Sequence, residues 1–182
     1  MYLSAKSIAE MAGKKKVHFL NDNAVRLNKS LGDAAGLKNI GVHLITVQPG
    51  HASTEFHSHS AEEECIYVLS GHGTVTIGTE DHAIGPGDFI GCALNGVAHC
   101  MKAEGPEPLV CLVIGQHLTH DVTDYPNLKK RLYRSNGEWN VVEHANRAGP
   151  VCLDRISTAL SEALRGSVIH GGGGRRSVWT VG

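Results

Sequence analysis

Two histidines separated by one residue are the first feature of this sequence that suggests chemistry. His57 and His59 lie two positions apart, and on a β-strand residues i and i+2 project from the same face. Both imidazoles can therefore enter one cavity. Glu64 follows and reaches the same cavity if its strand pairs antiparallel with the first. A carboxylate oxygen combined with imidazole nitrogens suits a divalent transition metal.

His99 is the fourth candidate ligand, because a later strand of a barrel would lie beside the first. Three neutral imidazoles and one carboxylate leave one or two coordination positions open for water or substrate. Glu63 competes with Glu64, but strand alternation lets only one of the two face inward, and we favour Glu64. We expect Glu62 to be solvated.

Short strands must position these side chains. From residue 37 to about 118, short apolar runs alternate with turns rich in glycine and proline. This spacing is typical of a small β-sandwich or barrel, so we predict an all-β domain. The predicted strands are 42–47, 65–69, the hairpin 73–84, 89–93, 98–102 and 109–114. Alternation from the candidate ligands predicts a largely apolar pocket wall made by Ile66, Val68, Val97 and Met101.

The candidate residues also resemble the two sequence motifs of the cupin superfamily, in its small bacterial single-domain form. The first motif is matched, with one extra residue after its first glycine, by Gly50, His57, His59, Glu64 and Gly71. The second is matched by Gly87, Asp88, Gly96 and His99. Two departures occur in the second motif: Ala93 or Leu94 stands where proline is usual, and Ala103 stands where asparagine is usual.

This resemblance implies a cupin jelly-roll β-barrel of six to eight strands. It implies that His57, His59, Glu64 and His99 hold one divalent metal ion near a mouth of the barrel. Relatives use Fe, Mn, Ni, Co or Zn. Cupins commonly dimerise through terminal strands, so the resemblance also implies a homodimer, with the segment before Leu37 as the expected dimerising element.

The ends of the chain lie outside the resemblance. We expect an N-terminal arm at 1–36, the cupin barrel at 37–118, a loop and strand packing on the barrel at 119–150, and a C-terminal helix with a flexible tail at 151–182. Asn, Asp and Gly residues predict a loop at 21–36. Helical spacing of apolar residues predicts the C-terminal helix, through Leu153, Ile156, Leu160 and Leu164.

Length and composition exclude several classes of protein. The chain has 182 residues, which suits one domain with short extensions, and a formal net charge of -1. Without a basic excess, we expect neither nucleic acid nor an anionic membrane as a partner. No apolar segment suggests a secretory signal or a membrane span. The 5 cysteines are odd in number and contain no Cys-x-x-Cys, which predicts reduced thiols and a cytoplasmic location.

These observations predict a metal-binding cupin whose barrel pocket binds a small molecule. An open metal site in such a pocket is typical of a metal-dependent oxygenase, isomerase or lyase. No second acid–base group has a clear placement in the sequence, so the catalytic residues stay unassigned. The alternative is a non-catalytic cupin that binds or senses a small molecule, although no helix-turn-helix pattern precedes the barrel.

Overall fold

The computed structural model describes residues 1–146, which form mainly antiparallel β-sheets. The elements in chain order are α1 (Ala5–Glu10), β1 (Lys14–His18), β2 (Asn21–Ser30), α2 (Leu31–Ala35), β3 (Ile40–Val47), β4 (Ser58–His59), β5 (Glu64–Ser70), β6 (His72–Ile77), β7 (Glu80–Ile84), β8 (Phe89–Cys92), β9 (His99–Glu104), β10 (Leu109–Gln116), β11 (His120–Tyr125), β12 (Lys130–Ser135) and β13 (Glu138–Glu143), with 3₁₀ turns at Pro126–Leu128 and His144–Asn146. Within these residues, a six-stranded sheet has the order β1-β2-β3-β10-β5-β8, a three-stranded sheet the order β7-β6-β9, and a four-stranded sheet the order β13-β12-β11-β4.

The hydrophobic core lies between the six-stranded and the three-stranded sheets. Alternate residues of β3, β5 and β10 point inward, as strand geometry requires. The core residues are Ile45, Val47, Ile66, Val68, Leu109 and Cys111 from the large sheet, and Val75, Met101 and Ala103 from the small one. The prediction of an all-β cupin jelly-roll fold is confirmed.

Gly71 makes the tight connection through which the chain passes from the large sheet to the small one. Its φ is +77°, and a Cβ at this position would collide with the backbone carbonyl of Pro108. Only glycine fits this combination of conformation and close approach. The turn therefore ends β5, whose first residue is the candidate ligand Glu64.

The prediction of a loop at 21–36 is wrong for most of that segment. Asn21–Ser30 is the strand β2, and Leu31–Ala35 is the helix α2. β2 pairs with both β1 and β3, so the arm extends the six-stranded sheet. Its side chains at Arg26 and Asn28 face the cavity described below rather than the apolar core. The strand consequently lacks the alternating hydrophobic pattern that would have revealed it.

The segment after the predicted barrel also contains more strand than expected. β11 pairs with β12, and β12 pairs with β13, in place of a loop with one short strand. β11 pairs on its other side with β4, which carries His59.

The boundaries of the four predicted segments stay predictions. The predicted C-terminal helix and tail at 151–182 lie outside the described residues. None of the helices within residues 1–146 has the length and apolar character that crossing a membrane requires.

Candidate metal centre and its cavity

Strand pairing brings His57, His59 and His99 together. The backbone of His57 pairs with that of His99 through two hydrogen bonds, of 3.1 and 2.8 Å. The imidazole centroid of His57 lies 4.7 Å from that of His99 and 4.8 Å from that of His59. His57 is 7% exposed and His99 is 3% exposed. The three rings therefore form one cluster, in which His57 and His99 are buried and His59 is partly buried.

Hydrogen bonds at Nδ1 of His57 and of His59 leave Nε2 of each ring free to bind a metal. His57 Nδ1 donates to the Glu55 carbonyl oxygen at 2.8 Å, and His59 Nδ1 donates to Asp121 Oδ2 at 2.7 Å. Each neutral ring then presents a lone pair at Nε2. The two Nε2 atoms are 3.1 Å apart. Two lone pairs at this distance repel each other unless a cation or a proton lies between them.

Glu64 and His99 complete the cluster. Glu64 Oε1 lies 3.6 Å from His99 Nε2, which is too long for a hydrogen bond. His99 Nε2 is buried and has no hydrogen-bond partner among the described residues. A buried imidazole nitrogen without a partner is costly, and a bound cation would satisfy it.

The carboxylates next to Glu64 have other surroundings. Glu63 is exposed, as the preference for Glu64 requires. The expectation that Glu62 is solvated is wrong. Glu62 is 6% exposed and forms an ion pair with Arg134, and it accepts a hydrogen bond from the Leu118 backbone nitrogen at 2.6 Å. Glu62 is buried because Arg134 of β12 and the Leu118 backbone before β11 contact it.

The electrostatics of His57 and Glu64 favour their ligand forms. Burial lowers the pKa of His57 to about 3, and the neighbouring imidazoles act in the same direction. His57 is therefore neutral, which is the form that binds metals. Burial raises the pKa of Glu64, but the surrounding imidazoles outweigh it and leave the pKa below its usual value. Glu64 is therefore an anion at neutral pH. Among the described residues, ligand atoms lie within 4.8 Å of one another in two groups, Glu64 with Cys92 and His99, and His59 with Glu62 and Asp121. The imidazoles and the carboxylate of the four candidates are donor types that suit a divalent transition metal.

Asp121 is a site residue that the sequence did not reveal. It is 3% exposed, and besides His59 it accepts hydrogen bonds from the Ala61 backbone nitrogen at 3.0 Å and from Thr123 Oγ1 at 3.2 Å. Burial raises the pKa of Asp121, but these hydrogen bonds outweigh it and place the pKa well below its usual range. Conversely, burial lowers the pKa of His59, but the Asp121 carboxylate raises it by more.

Cys92 is a second residue that sequence reasoning missed. Its sulfur lies within 4.8 Å of ligand atoms of Glu64 and His99. Burial, together with the charge of Glu64, raises the pKa of Cys92 to about 12, so the thiol stays protonated. A bound metal deprotonates a coordinating thiol, so Cys92 is a further candidate ligand beside Glu64 and His99. Alternation with Ile90 on β8 is the sequence signal that places it on the inner face.

The four candidate ligands lie in the wall of a cavity of about 410 Å³. Ile66 and Met101 line it, in agreement with their placement by alternation. The assignment of Val68 and Val97 to the pocket needs correction. Val68 is fully buried in the core beyond the cavity, and Val97 is 62% exposed. Val97 precedes β9, which begins at His99, so strand alternation does not extend to it.

The cavity is also less apolar than predicted. The arm, β3 and the segment after β10 contribute aromatic and basic side chains that the sequence did not place there, namely Phe19, Tyr125 and Trp139, and Lys16, His18, Arg26 and His43. The Tyr125 ring is tilted against the His57 ring at a centroid distance of 6.2 Å. A cavity with candidate metal ligands, aromatic surfaces and cations suits a polar, charged small molecule.

The chain belongs to the cupin superfamily. The cupin domain family matches residues 43–115, which contain all four candidate ligands. A protein provisionally named a sugar phosphate isomerase, from Acidithiobacillus ferrooxidans, is 55% identical; the match covers 81% of this chain and 95% of that protein, with a TM-score of 0.80. A sugar phosphate isomerase of the cupin superfamily from Silicibacter pomeroyi is 20% identical over 77% of this chain and 94% of its own, with a TM-score of 0.67, and shows similarity of fold. No curated protein matches this sequence.

Proposed function

We propose that this protein is a metal-dependent cupin enzyme that isomerises a small phosphorylated sugar. One divalent metal ion would be held by His57, His59, Glu64 and His99. The observation that carries the proposal is the pair of Nε2 atoms of His57 and His59, which lie 3.1 Å apart. The His99 ring centroid is 4.7 Å from that of His57, and its buried Nε2 has no partner among residues 1–146. Ligand atoms that share one metal at bond lengths of about 2.1 Å lie roughly 3 Å apart. The 55% identical relative supports the substrate class.

Residues of the cavity support an aldose–ketose isomerisation as the reaction. A bound divalent metal supplies Lewis-acid polarisation of a carbonyl and the adjacent hydroxyl. The reaction moves one proton from the carbon beside the carbonyl to the carbonyl carbon and a second from the hydroxyl on that neighbouring carbon to the carbonyl oxygen, so it is redox-neutral overall. His18 and His43 line the cavity outside the ligand cluster. Burial lowers the pKa of both, so both are neutral near pH 7 and can take up a proton.

Proton exchange in deuterated water tests this function directly. The protein, purified without a polyhistidine tag, is loaded in turn with Mn, Fe, Co, Ni or Zn and incubated with aldose phosphates, and ¹H NMR follows deuterium incorporation at C2. We expect about one metal per chain and exchange with at least one sugar phosphate. The double variant His57→Ala/His99→Ala should lose both metal and exchange. His82→Ala, in an exposed histidine of β7, is the matched control and should keep both.

Two results would contradict the proposal in different ways. Absence of metal after loading would remove the metal site itself. One metal per chain without proton exchange on any sugar phosphate would contradict the isomerase activity. Oxygen uptake by the Fe(II) form would then indicate an oxygenase, and ligand binding without turnover would indicate a non-catalytic binding protein.

We also propose a homodimer through the outer face of the six-stranded sheet. Phe89, Tyr67, Leu112 and Leu44 occupy neighbouring register positions across β8, β5, β10 and β3, and form an apolar row. Phe89 is 66% exposed and Tyr67 is 45% exposed. Exposed apolar rows of this kind are typical of interaction surfaces. Leu27 of β2 is 39% exposed and belongs to the same sheet, so the N-terminal arm would contribute to the interface.

Sedimentation velocity tests the dimer. We expect a species of roughly twice 19.4 kDa for the wild type and a monomer for Phe89→Asp. A monomeric wild type at micromolar concentration would contradict the proposal, and so would an unchanged dimer in the variant.

A cytoplasmic location stays part of the proposal. The described cysteines Cys65, Cys92, Cys100 and Cys111 are all free thiols, which suits a reducing compartment. Fractionation of the native host tests it, and recovery in a secreted or periplasmic fraction would contradict it.

A further inference from the structure

Two cations lie side by side on the wall of the cavity. Lys16 of β1 and Arg26 of β2 are direct partners in the antiparallel register, so both side chains project from the same face of the sheet. Both line the cavity that contains Glu64 and His99. Like charges at directly opposed positions destabilise a β-sheet. This pair therefore requires a compensating interaction.

Within residues 1–146 the compensation from carboxylates is only long-range, from Glu64 on Arg26 and from Asp33 on Lys16. Neither Lys16 nor Arg26 forms an ion pair there, whereas all the cations of β12 do, namely Lys130, Arg131 and Arg134. The known partner of Arg26 is the Ser53 carbonyl oxygen, to which Nη1 donates. The other N–H groups of the guanidinium stay available to the cavity.

The positive charge is local rather than a property of the whole protein. The chain has a formal net charge of -1. Burial, reinforced by repulsion from Arg26, lowers the pKa of Lys16, and burial also lowers the pKa of Arg26. His18 and His43 line the same cavity, and Arg26 contributes to the lowering of both their pKa values. The arm strands thus make a basic wall in the cavity that also contains the candidate metal ligands.

We propose that Lys16 and Arg26 form the binding site for a phosphate monoester group of the ligand. A phosphate dianion balances two cations, whereas a carboxylate balances one. The guanidinium of Arg26 can hold two phosphate oxygens at once, and the ammonium of Lys16, which is exposed, adds a point charge at the cavity mouth. This inference rests on the proposed function in one respect: the phosphate group is taken to belong to the same molecule that would contact the metal.

Titration with inorganic phosphate tests the site without knowledge of the substrate. Phosphate is added to the metal-loaded protein and its variants, and binding is followed by calorimetry. We expect Lys16→Gln and Arg26→Gln each to weaken phosphate binding about tenfold or more, as loss of a charge-assisted contact does. Lys15→Gln is the matched control, because Lys15 is exposed and pairs with Leu27 on the opposite face. It should stay within about twofold of the wild type.

Three further measurements separate the causes of any change. Metal content should be equal in the wild type and all three variants, since Lys15, Lys16 and Arg26 are not candidate metal ligands. Acetate should bind at least about tenfold more weakly than phosphate if two positive charges are required. Lys16 is exposed and its removal relieves repulsion with Arg26, so Lys16→Gln should melt at or above the wild-type temperature and report on binding even if Arg26→Gln is unstable.

Equal phosphate affinity in the wild type and both site variants would overturn the inference, as would acetate binding as tightly as phosphate. Phosphate binding that behaves as expected, combined with no proton exchange on any sugar phosphate, would leave this site in place and contradict only the isomerase. Proton exchange that is unaffected by Lys16→Gln and Arg26→Gln would contradict this site and leave the isomerase.

Discussion

Asp121→Asn should weaken metal binding although Asp121 is not a candidate ligand. Its Oδ2 accepts from His59 Nδ1 at 2.7 Å, and its Oδ1 accepts from the Ala61 backbone nitrogen at 3.0 Å. An asparagine has only one carbonyl oxygen, so it cannot accept from both. If the amide nitrogen faces His59, the ring must accept at Nδ1 and carry its proton at Nε2, where the metal would bind. If the carbonyl faces His59, the Ala61 N–H loses its acceptor.

The size of the effect follows from the role of such partners. Replacing a carboxylate that holds a metal-ligating histidine typically costs about 10- to 100-fold in metal affinity, or roughly 1.4–2.7 kcal/mol. Asp121 is 3% exposed, so solvent cannot replace the lost acceptor. We therefore expect a loss within this range rather than the complete loss expected for His57→Ala/His99→Ala.

Competition with a chromogenic chelator measures this loss for Zn(II) and Mn(II). Asp124→Asn is the matched control, since the substitution removes the same charge from the same strand. Asp124 binds Arg131 and His144 rather than His59. The control should bind metal within about twofold of the wild type. An Asp121→Asn protein with wild-type affinity, or equal losses in both variants, would refute the argument that Asp121 acts through the His59 tautomer.

The remaining predictions concern stability and are measured by urea unfolding. Leu109→Ala removes a fully buried core side chain and should cost about 2–5 kcal/mol; a cost below about 1 kcal/mol would contradict its place in the core. Gly71→Ala should cost more than Gly50→Ala, because both have positive φ but only the first Cβ meets backbone; equal costs would show that the close approach is absent. Arg134→Met leaves Glu62 buried without its partner and should cost about 3–5 kcal/mol, whereas a neutral effect would mean that Glu62 is solvated after all.

The sequence alone predicts the elements whose signals are local. The period-two pattern of β5 places Glu64, Ile66 and Val68 on one face, and the structure has them there. Turn residues such as Gly71 mark where strands end. The spacing of His57 and His59 likewise predicts two imidazoles on one side of the chain, since it depends only on backbone geometry over three residues.

Only the tertiary structure reveals the partners that come from distant parts of the chain. Asp121 reaches His59 because β11 pairs with β4, and Glu62 is buried because Arg134 of β12 covers it. Lys16 and Arg26 become neighbours through the register of β1 with β2, in a segment whose polar residues resemble a loop. A local pattern states which way a side chain points relative to its own strand. What that side chain meets depends on which strands pair and in what register, and this is decided by the packing of the whole domain.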